Sequence, residues 1–141
     1  MQKAFRVIVT LLPLFYMIAI WVMSSLPDDT FVELPSSTTD RFVKEALHLV
    51  EFAILYMLFV AAFAANHKLT ASLSLLAAIA ASLYGIVDEI HQSFVPARSA
   101  TLIDVVKDII GVLAAYFHVQ YHYFKRKRGF LTIIEKLTDK K

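Results

Sequence analysis

Tyr84-Gly85-Ile86-Val87-Asp88-Glu89-Ile90-His91-Gln92-Ser93-Phe94-Val95-Pro96-Ala97-Arg98 is the stretch on which the reading of this chain turns. No Asp, Glu, Lys or Arg lies between Leu69 and Val87. Two carboxylates, a histidine, a glutamine, a proline and an arginine then arrive together. An uncharged run of this kind suits the roughly 20 residues that a bilayer crossing requires. Ionisable groups in or beside such a run are costly unless something uses or compensates them. The stretch therefore predicts a membrane-spanning helix with a functional cluster at its end.

Working outward, the whole 141-residue chain is 58% hydrophobic and 18% charged, with a mean hydropathy of +0.62. Soluble domains average about 45–50% apolar and about 25% charged. The excess is blocked into runs near Phe5 to Ser24, Lys44 to Ala65, Leu69 to Val87 and Thr101 to Phe124. We expect an all-α integral membrane protein, a four-helix bundle over residues 1–124. Pro13 falls inside the first span and predicts a kink. The third span is rich in Ala and Ser, which lets helix backbones approach closely and places it inside the bundle. Residues 125–141 form a tail that opens on Lys125-Arg126-Lys127-Arg128. Gly129 interrupts the helix, and Phe130, Ile133, Ile134 and Leu137 then recur at helical spacing. That pattern predicts a short amphipathic helix on the membrane surface, with a frayed tail as the competing reading.

The absence of cysteine excludes disulfides and thiolate chemistry. Lys3 and Arg6 precede the first span, Lys68 joins the second to the third, and the basic block follows the fourth. Four crossings put all of these on one side, which the positive-inside rule makes cytoplasmic, with both termini. Asp28, Asp29, Glu33 and Asp40, and the Asp88–Arg98 segment, then face outward. The expected location is a bacterial cell membrane, crossed several times. A cleaved signal peptide is the alternative for the first run. Its apolar stretch exceeds the usual ~7–15 residues, and no A-x-A site follows it.

This topology gathers separated residues at one membrane face. Lys44, His48 and Glu51 share a helical face, as do Asp88 and Gln92, with Tyr84 one turn below. Asp104, Asp108, Gly111 and Ala115 form a stripe on the fourth span, and Ser24, Ser25 and Pro27 end the first. Glu51, Asp88, Glu89, Asp104 and Asp108 supply five carboxylates against the cations Lys44, Arg98 and Lys107. Low dielectric disfavours the uncompensated negative charge. Protonated carboxyls, protonated histidines, a bound metal or water access would offset it. Protonated carboxyls would be poised general acids. The bland alternative is a set of packing ion pairs, such as Lys107 with Asp104.

His48, Glu51, Glu89 and His91 are metal-ligand types, but no closed signature such as H-E-x-x-H is present, and no metal or cofactor is assigned. His118 and His122 sit among Tyr116, Phe117, Tyr121, Tyr123 and Phe124 and read as part of an interfacial aromatic belt. Arg98 offers a forked donor set suited to phosphate or carboxylate. Its alternative is a salt bridge to Asp104.

At these residues the chain resembles the VanZ-like membrane protein family. The resemblance rests on Ser24-x-x-Pro27, on Lys44-x-x-x-His48-x-x-Glu51-Phe52, and on Asp88-Glu89-x-x-Gln92-x-Phe94-x-Pro96-x-Arg98, followed by Asp104 and Gly111. It covers roughly Ser24 to Ala115. The family typically carries asparagine where this chain has Asp108, so this member adds a carboxylate, and often glycine near Ala115. For the founding member the resemblance implies low-level resistance to teicoplanin-type glycopeptides, without a defined reaction.

The expected function is an outer-leaflet polar pocket that binds or modifies an envelope lipid or lipid-linked sugar. His48, Glu51, Asp88 and Glu89 would be its acid–base groups. Ser24, Lys44, Gln92, Arg98, Asp104 and Asp108 would form its binding shell. Membrane lipids or a lipid-linked envelope precursor are the expected partners, and nucleic acid is not. A non-enzymatic binder, a small transport module and a structural partner in an envelope complex are the alternatives. No G-x-S-x-G, metalloprotease helix or phosphate loop is present. A dimer is compatible with the sequence and not required by it.

Overall fold

A computed structural model describes residues 2–26, 37–96, 98 and 100–139, with backbone alone for 37–45 and 48. Helix α1 spans Gln2–Ser24, α2 Ser37–Ala65, α3 Ala71–Gln92, α4 Leu102–Val119 and α5 Phe130–Thr138. A π-helical turn, Gln120–Lys125, continues α4. No strand occurs among the described residues. The all-helical expectation therefore holds, and α3 runs through Asp88, Glu89 and His91 to Gln92 without leaving helical geometry.

Local chemistry sets the boundaries. The Thr70 hydroxyl accepts the Leu73 N–H at 3.2 Å and caps α3. At the end of α2, Lys68 N–H donates to the Phe63 carbonyl and His67 N–H to that of Ala64. His67 turns left-handed there, at φ 53°, so the last carbonyls of α2 are satisfied by a tight reversal. Thr101 caps α4: its hydroxyl accepts the Asp104 N–H at 3.3 Å and donates to the Asp104 carboxylate at 2.6 Å.

Helix α2 lies against α1, α3, α4 and α5. Its Phe52, Leu55, Tyr56 and Val60 are fully buried and form the centre of the core. The small residues of α3 do what their size predicts: Ala77, Ala78 and Ala81 are buried against neighbours. Helices α2 and α4 approach closely at Gly111. A Cβ at Gly111 would sit 1.9 Å from the Leu49 carbonyl oxygen, so only glycine lets these backbones touch.

The outward surfaces are apolar. On α1, Ile8, Leu14, Phe15 and Ile18 are exposed, and on α3 so are Leu76, Ile79 and Leu83. Exposed apolar area on this scale marks contact with lipid or protein. By length and composition α1 and α3 qualify as membrane spans. The apolar part of α2, Leu49–Ala65, is shorter, and α4 carries Asp104, Lys107 and Asp108 within eighteen residues.

The tail departs from a simple surface helix. Helix α5 folds back onto α1 and α2. Leu131, Ile134 and Thr138 are buried, while Phe130, Ile133 and Leu137 face out. The predicted stripe is thus divided, with Ile134 turned into the protein.

Candidate functional site

The cluster is built from the C-terminal ends of α1 and α3, the beginning of α4 and the region of α2 around Glu51. Asp88, Glu89 and Asp108 are only 0%, 5% and 1% exposed. Ser24 and Gln92 are buried with them. Burying carboxylates is expensive unless partners or protons compensate. Glu51, half-buried on α2, lies within electrostatic range of Asp88, Glu89 and Arg98. Asp108 is likewise within range of Glu89, Glu51, Asp88 and Asp104. The five carboxylates found in the sequence therefore occupy one neighbourhood.

Gln92 is the hub. Its Nε2 donates to Asp88 Oδ2 at 2.6 Å, one helical turn back, and to Ser24 Oγ at 3.3 Å. Its Oε1 accepts from Arg98 Nη1 at 3.5 Å. Asp88 Oδ1, on the other side of the same carboxyl, is buried and accepts no hydrogen bond from the described residues. A small residue makes room for the cluster: a Cβ at Gly85 would meet Asp108 Cβ at 3.3 Å and Phe52 Cγ at 3.5 Å.

Arg98 ties the motif to α1. Nε donates to the Leu26 carbonyl at 2.9 Å and Nη2 to that of Met23 at 2.8 Å. These carbonyls end α1, where a cation complements the helix dipole. The fork of arginine suits this task, since two arms hold the helix end while the third is directed at Gln92. Beside it, His91 stacks on Trp21 with ring centroids 3.9 Å apart, and its Nε2 lies 3.0 Å from Ser25 Oγ. Tyr84 donates to the Met17 carbonyl at 2.8 Å. Tyr84, His91 and Gln92 thus all reach from the last turns of α3 to the C-terminal part of α1.

Lys107 pairs with Asp104 at 2.9 Å, the i, i+3 packing pair that was the alternative to a functional role. Lys44 and His48 lie on α2, but their side chains are outside the described residues, as is Pro27. Among the described residues no group of three or more His, Asp or Glu side chains is disposed to hold a metal. His118 and His122 stack on each other at 4.3 Å at the opposite end of α4 and contribute nothing to the cluster.

Sequence reading did not single out Trp21, Thr101, Gly85 or the α1 carbonyls. Thr101 was legible from its spacing to Asp104, a capping-box pattern. Trp21 lies one turn before Ser25, but nothing in the sequence tells which ring it stacks on.

The family model described as VanZ/LLP1 matches residues 2–124. The chain belongs to the VanZ/LLP1 family. No curated protein and no solved structure matches it. The match spans α1 to α4 with most of the π-turn and stops before α5. Family membership, with two helices long and apolar enough to span, points to a membrane protein.

Proposed function

We propose that this VanZ-like protein crosses the membrane with all of α1 to α4, keeps both termini cytoplasmic, and uses the Asp88–Arg98 end as an extracytoplasmic pocket. The ligand would be an envelope lipid or lipid-linked sugar, bound or chemically modified there. The observation that carries this reading is the burial of Asp88, Glu89 and Asp108 together in an otherwise apolar chain. Carboxyls retained at such cost are expected where they exchange protons or bind polar ligands.

In this reading Asp88 or Glu89 acts as acid or base, with His48 and Glu51 as proton partners. Ser24 and Gln92 present the hydroxyl and amide that suit a sugar. Lys44 and the Nη1 arm of Arg98 hold an anionic head group, while Asp104 and Asp108 complete the polar wall. A link to teicoplanin-type resistance follows from the family resemblance and is part of the proposal. A structural role for part of the cluster has its own support, since Arg98 is anchored to α1 and Lys107 to Asp104.

The test is a set of single substitutions, Asp88→Asn, Glu89→Gln, His48→Ala and Arg98→Ala, in cells whose membrane content of the protein is measured alongside teicoplanin susceptibility. Native mass spectrometry of the purified chain with its co-purified lipids gives the binding readout. We expect loss of phenotype and of bound lipid at wild-type protein levels. Full activity in all four variants would overturn the pocket.

A further inference from the structure

The structure assigns a second ligand surface at the other end of the molecule: α5 and the basic turn before it form a docking face for anionic lipid head groups. The orientation of α5 is fixed by contacts on its inner side. Leu131 and Ile134 are buried. Arg6 Nη2 donates to the Thr138 carbonyl at 2.8 Å, and Gln2 Nε2 to that of Asp139 at 3.3 Å. The Tyr123 hydroxyl donates to the Glu135 carboxylate.

With the helix so held, Phe130, Ile133 and Leu137 form one outward stripe, each more than half exposed. At 3.6 residues per turn, Lys136 borders that stripe on its open side, whereas Glu135 lies beyond the buried side and is engaged by Tyr123. Asp139 follows the helix end on the polar face. Lys125, Arg126, Lys127 and Arg128 are all exposed just before the helix. Lys125 and Arg126 both stand over the Tyr121 ring, at 5.8 and 4.7 Å, so they are gathered on one aromatic platform. An apolar stripe edged by basic residues is the pattern of a helix lying in a membrane interface. Its contacts at Gln2 and Arg6 put it at the end of α1, a helix suited to span the bilayer. A second copy of the chain would bring the same basic cluster against itself, which charge repulsion opposes. Anionic head groups complement it instead.

The full chain would be reconstituted in phosphatidylcholine and in an equal mixture with phosphatidylglycerol. Association of spin-labelled phosphatidylglycerol relative to phosphatidylcholine is then read. We expect a preference of roughly fivefold or more, falling toward parity in high salt. The joint variant Lys125→Gln, Arg126→Gln, Lys127→Gln and Arg128→Gln should lose it too. In a Trp21→Phe background, Leu137→Trp should be quenched by lipids brominated in their acyl chains. A preference unchanged by both salt and the joint variant would overturn the assignment, as would an unquenched Trp at position 137. So would a dimer protecting that position. If the joint variant fails to fold, the salt titration of the native chain decides alone.

Discussion

The two ends of this molecule solve the problem of buried polar groups in opposite ways. At the α5 end, side chains close on helix ends and on each other. Asn66 Nδ2 donates to Thr10 Oγ1 and to the Ala62 carbonyl, both at 2.8 Å. Arg6 caps α5, and Tyr56 shares a 2.9 Å hydrogen bond with Ser74, toward which Gln120 also donates. At the Asp88 end, carboxylates converge on one another, and the amide of Gln92 and fork of Arg98 bridge them to α1. The first end has the economy of a structural joint. The second concentrates like charge in low dielectric, which costs stability. The difference teaches which end gives up stability and which end secures it.

The comparison can be broken most sharply at Gly111, the contact on which the α2–α4 scaffold of the cluster depends. Gly111→Ala forces a Cβ onto the Leu49 carbonyl, and we expect a loss of about 3 kcal/mol or more in thermal unfolding of the detergent-purified protein. A loss below about 1 kcal/mol would show that the helices separate at little cost. Next comes Arg98→Lys, which keeps the charge and loses the fork. It should cost about 1.5–3 kcal/mol and fail to restore activity lost in Arg98→Ala. Equal performance of lysine would reduce Arg98 to a point charge.

Asp108→Asn sharpens the contrast in the other direction. It removes one of several crowded negative charges at nearly constant shape and restores the residue typical of the family resemblance. We expect stability to rise by about 1 kcal/mol, whereas Asp88→Asn should abolish activity at unchanged or raised stability. Loss of stability in Asp108→Asn would mean that the favourable interactions of its carboxylate outweigh the crowding of like charge. The smallest effect is expected at the structural end. Arg6→Ala should cost about 1 kcal/mol, speed hydrogen exchange in α5 and leave the Asp88 cluster untouched. A change in site activity would show that the two ends communicate.

The apolar runs and the charge cluster could be read directly because each is a local property, and the capping threonines, though not singled out, are local in the same way. Periodicity gives the faces of a helix, and Thr70 and Thr101 stand three residues before the backbone groups that they satisfy. The i, i+3 pair of Lys107 with Asp104 and the i, i+4 bond of Gln92 with Asp88 are local in the same sense. Arg98 was legible as a forked donor but not as a clamp on α1, because Met23 and Leu26 lie more than seventy residues away. The same limit hid the Trp21–His91 stack and the use of Gly85 as the floor under Asp108.

By itself, then, the sequence determined that this chain is helical, that its apolar runs suit a membrane, and where its ionisable residues are concentrated. Those follow from composition and spacing, since hydrophobic transfer and helix geometry act on neighbours along the chain. Only the tertiary structure decided which partners meet across helices. It put α5 onto α1 and α2, splitting its apolar face in two, and directed two arms of Arg98 to the end of α1. Such choices depend on how several helices fill shared space, and no single segment carries that information.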